Sequence, residues 1–240
     1  MSKESLVICP VYNEENTIEQ FFKKLRKEYI QDVLFIDDGS TDKSKDFFLR
    51  QRNDRTFLLQ HPERHGYGAS LISGFRFSHK NGYEKILTID VDFQHNPERI
   101  PQFLQELNEY EVILGSRYIR IDRYLHVPRT RLLINRYIAR LINLLFSVNF
   151  SDPFCGFRGY RRSFLEKVNL EETSYGLAIE ILLEVIRTKA FFKEIPVEVI
   201  YNNHSRKFLD GLDDPRRRLL HYLEVIACKR EKTIQGRENF

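Results

Sequence analysis

The first half of the chain alternates short apolar runs with segments of helical periodicity, and this alternation constrains the fold more than any other feature. Apolar runs bounded by turn residues predict strands, and the segments between them predict helices. The expected strands are 5–9, 32–36, 57–60, 84–90 and 111–115, and the expected helices are about 15–28, 42–52, 68–80 and 97–108. Such βαβ alternation predicts a mostly parallel central sheet with helices on both faces.

The second half is less regular. Residues 131–148 carry a helical stripe of apolar side chains that covers most of the circumference. This helix is therefore expected either to pack on the sheet alone or to contact lipid as well. A helix at 176–188, a strand at 192–201 and a last helix near 215–230 complete the pattern, and the charged tail beyond Lys229 is expected to fray.

Composition indicates one globular domain in a reducing compartment. The chain has 240 residues, of which 42% are hydrophobic, enough for a single good core. Its three cysteines are odd in number and lack a metal-ligand spacing, which favours free thiols in the cytoplasm. No window reaches the ~20 apolar residues that span a bilayer, so neither secretion nor membrane integration is expected.

Positive charge is concentrated in one stretch, although the formal net charge is only +4. The arginines of this stretch are Arg117, Arg120, Arg123, Arg129, Arg131, Arg136 and Arg140. Such a cluster suits phosphates or an acidic membrane surface. The sequence contains no nucleic-acid recognition motif and the net charge is mild, so nucleic acid is not an expected partner.

Acidic side chains follow two of the predicted strands at the point where each strand ends. Asp90 and Asp92 close the fourth strand, and Asp37 and Asp38 follow the second. The carboxyl ends of parallel strands line one crevice, where ligands bind. Two carboxylates one residue apart can converge on a divalent cation that carries a diphosphate. The alternative is a strand end with solvated acids.

Other polar residues near the strand ends have simpler local explanations. Asn13 is expected to cap the first helix, and Asp42 to cap the second. Asp37 suits a turn acid. Pro97 fits the first turn of a helix that Asn96 caps.

Six segments, taken in order, resemble a known family. They are Cys9–Glu14 (CPVYNE), Ile36–Ser40 (IDDGS), Asp90–Asp92 (DVD), Gly115–Tyr118 (GSRY), Asp152–Arg158 (DPFCGFR) and Ile195–Val197 (IPV). The first three resemble the family 2 glycosyltransferases with the GT-A fold. The last three resemble the dolichol-phosphate and polyprenyl-phosphate mannosyltransferase branch. The resemblance covers roughly residues 5–207.

This resemblance implies a fold, a domain arrangement and a reaction. The fold is the Rossmann-like, three-layer α/β fold of GT-A nucleotide-diphospho-sugar transferases. The implied domain is 1–210, with a nucleotide-binding half at about 1–117, an acceptor half at about 118–210 and a C-terminal helical extension at 211–240. The implied reaction is inverting transfer of a hexose, mannose first, to polyprenyl or dolichyl phosphate by a peripheral membrane protein at the cytosolic face.

The donor side follows from the same resemblance. Asp92 and Gln94 are expected to bind Mg²⁺ or Mn²⁺ directly. Asp90 is expected either to contact the sugar or to contact groups that are themselves bound to the metal. Expected nucleotide contacts are Pro10, Tyr12, Glu14, Ile36, Asp38, Asp90, Val91 and Lys207. Asn202 stands where mannosyltransferases usually carry an arginine, so GDP-mannose is the default donor and UDP-sugars stay open. The turn at 65–69 has two glycines and can approach phosphate or sugar closely.

Arginines are expected to bind the phosphate groups of both donor and acceptor. Arg117 follows a strand, and by resemblance its guanidinium contacts the diphosphate. Arg131, with Asn135 one turn later, matches the positions that bind the acceptor phosphate, and Arg129 is a competitor for that role. A lipid phosphate is already ionised and needs no base, whereas a hydroxyl acceptor needs one, for which Asp152 is the first candidate.

Two other functions remain open from the sequence. One keeps the fold and uses a soluble or glycan hydroxyl acceptor, and the other is a non-catalytic nucleotide-sugar-binding protein. Glu180 is a weaker candidate base for the former, because it equally suits the polar face of a helix. A membrane-anchored partner chain is a further option.

Overall fold

A seven-stranded sheet forms the centre of the molecule. The computed structural model describes residues 3–51, 53–92, 94–119, 128–198 and 211–238, with only the backbone described at residues 237 and 238. The strands are β1 (Lys3–Val11), β2 (Asp32–Asp37), β3 (Thr56–Gln60), β4 (Tyr83–Thr88), β5 (Val112–Ser116), β6 (Arg158–Arg161) and β7 (Phe192–Pro196). Their order in the sheet is β3-β2-β1-β4-β6-β5-β7.

The sheet is mostly parallel, as the alternating sequence pattern predicts. Among the strands of the described residues, only β6 runs antiparallel, paired with β4 on one side and β5 on the other. The sequence does not predict β6, because its four residues, Arg158–Arg161, carry arginine at both ends and glycine in the middle. The strand predicted at 192–201 ends at Pro196, and residues 199–201 lie outside the described part of the chain.

Helices flank this sheet. They are α1 (Ile18–Glu28), α2 (Ser44–Gln51), α3 (Tyr67–Lys80), α4 (Ile100–Glu106), α5 (Arg129–Phe146), α6 (Arg162–Leu165), α7 (Leu177–Arg187) and α8 (Pro215–Glu238). A 3₁₀ turn precedes α4 at Pro97–Arg99, and the Asn96 side chain caps it as predicted. The prediction of a frayed tail is wrong, because α8 continues to Glu238.

Two hydrophobic layers cover the two faces of the sheet, and alternation along the strands creates them. Leu6 and Ile8 of β1 join the layer formed with α3, α5, α7 and α8. Val7 and Cys9, the residues that alternate with them along β1, join the layer formed with α1, α2 and α4. Successive strand residues point to opposite faces, so each strand contributes to both layers. Helices on both faces confirm the predicted three-layer arrangement.

The last helix is fixed to this core. Tyr222, Val225 and Ile226 of α8 are buried in the same layer as α7. Lys229 adds an ion pair of 2.6 Å to Glu180, whose carboxylate is 1% exposed. That carboxylate also accepts hydrogen bonds from the backbone N–H groups of Glu171 and Glu172, so it joins α7, α8 and the segment before α7.

Helix α5 has one face in the core and another that exposes apolar side chains. Ile138 and Ile142 are fully buried. Leu133, Tyr137 and Leu144 are exposed by 64%, 52% and 82% of their surface. Within the described residues, no helix has the length and apolar character to cross a membrane.

Candidate active site

One cavity at the carboxyl ends of the central strands brings together several residues singled out in the sequence. It encloses about 110 Å³. Asp90 and Gln94 line it from the loop after β4, Arg117 from the end of β5, and Arg131 and Asn135 from α5. Acidic and basic motifs that are distant in sequence therefore meet in one place.

The acidic motif lies just beyond β4, which ends at Thr88. Val91 is buried in the core, 1% exposed, and anchors the loop between the two acids. The side chain packs in the core, and the predicted contact of Val91 with the nucleotide stays a prediction. The Asp90 carboxylate accepts a hydrogen bond of 3.1 Å from the Tyr67 hydroxyl, and Asp92 accepts one of 3.0 Å from the backbone N–H of Gln94.

The chemistry of this loop fits a hard divalent cation. Asp90, Asp92 and Gln94 offer carboxylate and amide oxygens, the ligands that Mg²⁺ and Mn²⁺ prefer. No cluster of three or more histidine, cysteine or acidic side chains suited to a metal occurs in the described ranges. Two acids with an amide therefore suit a cation that also takes phosphate oxygens from its substrate.

Gly156 lets the motif Asp152–Arg158 approach Asp90 closely. A Cβ atom at this position would lie 2.6 Å from Oδ2 of Asp90 and 2.9 Å from the hydroxyl of Tyr67. Both distances are shorter than van der Waals contact. Any side chain at residue 156 must therefore displace the Asp90 carboxylate or the loop itself.

We expect Gly156→Ala to lower kcat by roughly 100-fold, because a displacement of about 1 Å at reacting groups has an effect of this size. Steady-state kinetics measure the change. Gly82→Ala is the control: it strains a glycine with φ of 74° but meets only the end of Arg162, at 3.8 Å, away from the cavity. That variant should lose stability and retain activity. Equal loss of activity in both variants would contradict a specific effect on Asp90.

Arg117 and Asp152 form a buried, bidentate ion pair. Arg117 Nε donates to Asp152 Oδ2 at 2.7 Å and Nη2 donates to Oδ1 at 2.9 Å. The side chains are 11% and 0% exposed. Burial alone would raise the pKa of Asp152, but the charge and hydrogen bonds of Arg117 outweigh it and hold that pKa below its ordinary value.

This environment does not suit the base role predicted for Asp152. Besides the Arg117 side chain, the carboxylate accepts hydrogen bonds from the Arg117 backbone N–H, from Asn135 Nδ2 at 2.7 Å and from the backbone N–H of Phe154. A carboxylate with five donors and a lowered pKa is a poor proton acceptor. Asp152 instead fixes the side chains of Arg117 and Asn135, both of which line the cavity. Glu180 is likewise occupied by backbone N–H groups and Lys229.

The loop that carries Asp152 is held from two sides. Glu194 of β7 accepts hydrogen bonds from Ser151 N at 2.9 Å and Ser151 Oγ at 2.8 Å, and burial raises the pKa of this carboxyl. Arg158 donates to the backbone oxygens of Cys155, Pro153 and Ala178. The segment Asp152–Arg158 is therefore a rigid element of the cavity wall.

The nucleotide contacts predicted at and just after the ends of β1 and β2 include both buried and partly exposed residues. Pro10 pairs with Ile36 across the two strands. Ile36 has no exposed surface and its side chain completes the core, and its predicted contact with the nucleotide stays a prediction. Tyr12 and Glu14 are half-buried, and the Arg64 guanidinium lies 5.1 Å from the centre of the Tyr12 ring.

Asp38 has a structural role in this conformation. Oδ1 hydrogen-bonds with His61 Nδ1 at 2.7 Å and accepts from the backbone N–H of His65 at 2.9 Å. Oδ2 accepts from the backbone N–H of Gly66 at 2.8 Å. The carboxylate therefore holds the 65–66 turn and is 4% exposed, and its predicted contact with the nucleotide stays a prediction.

The glycines of this turn have a packing explanation. Gly66 has φ of 107°, and a Cβ atom there would lie 2.5 Å from the backbone oxygen of Thr173. Gly68 packs equally closely on the backbone of 172–174. The turn therefore needs glycine in order to pack on the segment before α7, and through Tyr67 it supports Asp90.

Two of three local predictions nearby are confirmed. Asp42 Oδ1 accepts from the backbone N–H of Ser44 at the start of α2, and Asp37 Oδ1 accepts from Ser40 in a turn. The prediction that Asn13 caps α1 is wrong. Asn13 has φ of 55° and accepts from the backbone N–H groups of Thr41 and Asp42, so it joins two loops instead.

Several cavity residues have no role in the sequence analysis. They are Tyr67, His95, Tyr175, Arg218 and Tyr222. His95 follows Gln94 directly; burial lowers its pKa, against the raising effect of Asp90 and Asp92. Its Nδ1 has no hydrogen-bond partner in the part of the chain that is described. Lys207, together with Arg120 and Arg123, lies outside the described residues.

Fold and site together are those of a nucleotide-sugar transferase, with a GT-A sheet and an acidic motif at its carboxyl edge. The family model "Glycosyl transferase family 2" matches residues 6–168. The chain therefore belongs to this family and is a glycosyltransferase. The fold and family expected from the sequence are confirmed.

Three curated relatives extend over most of the chain. The undecaprenyl-phosphate mannosyltransferase of Micrococcus luteus is 27% identical over 212 residues, which cover 86% of this chain and 87% of that protein. The polyprenol monophosphomannose synthase of Mycolicibacterium smegmatis is 26% identical, with 82% and 77% covered. The UDP-N-acetylglucosamine–dolichyl-phosphate N-acetylglucosaminyltransferase of Methanococcus voltae is 24% identical, with 83% and 86% covered.

A solved structure with the same fold is glucosyl-3-phosphoglycerate synthase from Mycobacterium tuberculosis in complex with Mn²⁺, UDP-glucose and phosphoglyceric acid. Its TM-score is 0.70 at 19% identity, and the match covers 92% of this chain and 78% of that one. At this identity the likeness shows the GT-A fold alone.

Proposed function

We propose that the protein transfers a hexose from a nucleotide sugar to a polyprenyl phosphate. The observation that carries the proposal is a single cavity in which the acidic loop of Asp90 and Gln94 meets the guanidinium of Arg131. Such a cavity suits two phosphorylated substrates, one bound through a cation and the other through arginine. All three relatives named above act, by their names, on a polyprenyl or dolichyl phosphate or make a phosphomannosyl polyprenol.

The donor would bind on the acidic side. Asp90, Asp92 and Gln94 are the residues that would hold Mg²⁺ or Mn²⁺, a cation that stabilises the charge developing on the leaving diphosphate. Tyr12 and Glu14 are proposed to contact the nucleoside, and Lys207 to contact the nucleotide. GDP-mannose is the proposed donor, because two of the relatives are named for mannose, and UDP-sugars are the alternatives to test.

The acceptor would bind on the arginine side. Ile134, Phe154 and Ile181 give this part of the cavity an apolar wall next to Arg131, which suits a phosphate attached to a hydrocarbon chain. An oxygen of the phosphate attacks the anomeric carbon, and the bond from that carbon to the nucleoside diphosphate breaks with inversion. A phosphate monoester is already ionised near neutral pH, so no proton has to be removed. The full occupation of Asp152 by hydrogen-bond donors is consistent with a reaction that needs no base.

A lipid acceptor requires contact with the membrane surface, and α5 is the proposed contact. Leu133, Tyr137 and Leu144 are exposed on this helix, and Arg136 is exposed beside them. Exposed apolar side chains flanked by arginine suit the boundary between acyl chains and acidic headgroups. Arg131 lies on the same helix, so the phosphate of a membrane lipid could reach the cavity. The protein is accordingly proposed to be peripheral at the cytosolic face.

We expect Arg131→Ala to raise the acceptor KM by roughly 10- to 100-fold with little change in the donor KM, since a hydrogen bond to a charged group contributes about 1.5–3 kcal/mol. Rates with a short-chain polyprenyl phosphate in detergent measure both constants. Arg129→Ala is the matched control, because Arg129 is exposed at the start of the same helix. A larger effect on the donor KM, or equal effects of the two variants, would overturn the acceptor role of Arg131.

A further inference from the structure

The first turns of α8 direct one of three consecutive arginines inward. Arg216 and Arg217 are exposed, whereas Arg218 is 4% exposed. Arg218 Nη1 donates a hydrogen bond of 2.9 Å to the backbone oxygen of Leu212, just before the helix. Arginine side chains are seldom buried to this extent, so the position of Arg218 on the inner side of α8 is a distinctive feature of the helix.

The inward face of α8 forms part of the wall of the active-site cavity. Arg218 and Tyr222, one turn apart, both line it. Arg131 and Asn135, also one turn apart, line it from α5. Because residues four apart share one side of a helix, each helix presents an arginine and a hydrogen-bonding side chain to the same space.

Charge in the cavity favours an anion between the two helices. Burial lowers the pKa of Arg218, and the positive charge of Arg131 lowers it further, while Tyr222, Asp213 and Asp214 act in the opposite direction. Two guanidiniums that repel each other in a partly desolvated space are stabilised by an anion that binds both. A phosphate monoester carries up to two negative charges at neutral pH and can accept hydrogen bonds from two arginines.

We infer that Arg218 binds the phosphate of the acceptor together with Arg131, so that α8 is one wall of the acceptor site. The inference rests on the proposed function, because the anion is taken to be the polyprenyl phosphate. It assigns a substrate contact to α8, the helix that the sequence analysis describes as a C-terminal extension. Tyr222, whose ring lies 4.4 Å from that of Phe154, joins the apolar wall behind the phosphate.

A purely structural role for Arg218 makes a different prediction. The bond to Leu212 fixes the turn before α8, and its loss would lower stability and affect both substrates alike. A role in acceptor binding raises the acceptor KM selectively. The two KM values and the melting temperature therefore separate the two roles.

The test uses the full-length protein with a short-chain polyprenyl phosphate in detergent. Arg218→Ala should raise the acceptor KM at least about 10-fold with the donor KM within about twofold of wild type, as expected for a lost charge-assisted hydrogen bond. Arg218→Lys keeps the positive charge but loses the planar guanidinium that can donate two parallel hydrogen bonds to a phosphate. Its acceptor KM should therefore lie between those of wild type and Arg218→Ala. Arg217→Ala, one residue away and exposed, is the matched control and should behave as wild type.

An acceptor KM within about twofold of wild type in Arg218→Ala would overturn the inference, as would parallel rises in both KM values. If Arg218→Ala does not fold, Arg218→Lys decides alone, and an unchanged acceptor KM in that variant overturns the inference. Wild-type protein that transfers no sugar to polyprenyl phosphate would overturn the proposed function and the inference together. Normal transfer by wild type with an unchanged Arg218→Ala variant would overturn the inference alone.

Discussion

Asp92→Asn is expected to reduce kcat by at least about 100-fold, which is the size of effect seen when one group that stabilises developing charge is removed. The substitution keeps the shape of the side chain and its capacity to accept the hydrogen bond from Gln94 N, so the loop after β4 should keep its conformation. It removes the negative charge that a divalent cation needs. Steady-state kinetics at saturating Mn²⁺ and donor measure the change, and melting temperature checks the fold.

Asp46→Asn is the matched control for this variant. Asp46 is an exposed acid in the first turn of α2, away from the carboxyl edge of β4. Its replacement should leave both kcat and the metal requirement unchanged. Undiminished transfer by Asp92→Asn would refute its assignment as a metal ligand, and a fall in activity with a matching fall in melting temperature would assign it to the fold instead.

Asp152→Ala should lower the free energy of unfolding by about 3–5 kcal/mol, because it leaves the buried guanidinium of Arg117 without its partner. Loss of the carboxylate also removes the acceptor for Asn135 Nδ2 and for two backbone N–H groups. Chemical denaturation measures the change. Glu19→Ala, which breaks the exposed pair with Lys23, is the control and should have a small effect. A small effect of Asp152→Ala would contradict the importance of the buried pair.

The pH dependence of this pair follows from the lowered pKa of Asp152. A carboxylate with a lowered folded-state pKa adds stability that is fully present above its unfolded pKa of about 3.9 and is lost as the pH falls through the folded pKa. The stability difference between wild type and Asp152→Asn should therefore stay constant from about pH 5 to 8 and shrink below about pH 4. A difference that shrinks between pH 5 and 7 would contradict the ion pair.

Local sequence signals predict much of this fold because they depend on neighbouring residues alone. Alternation of strands and helices predicts the parallel sheet, and the caps at Asp42 and Asn96 are confirmed. The sequence does not predict β6, because this antiparallel strand is stabilised by pairing with β4 and β5 rather than by the propensity of its own four residues. Asn13 is mispredicted for the same reason, since its partners are 28 and 29 residues away.

The candidate site is predictable in its motifs and less so in its contacts. Spacing and resemblance identify Asp90, Gln94, Arg117 and Arg131, which line one cavity. Spacing and resemblance do not reveal that five hydrogen-bond donors surround Asp152. These donors come from α5, the end of β5 and the loop after α5, which are brought together only in the folded structure. The sequence does not single out Arg218 for the same physical reason, because the packing of α8 decides which of three consecutive arginines is buried.

The most direct test of the central claim is transfer of radiolabel from GDP-mannose, UDP-glucose and UDP-N-acetylglucosamine, each with Mn²⁺, into lipid extracted with organic solvent after incubation with polyprenyl phosphate. The expected result is label in the organic phase from one donor, abolished by EDTA, with GDP-mannose the expected donor. The absence of extractable label from all three donors, in protein that still binds nucleotide by thermal shift, would contradict a polyprenyl-phosphate acceptor.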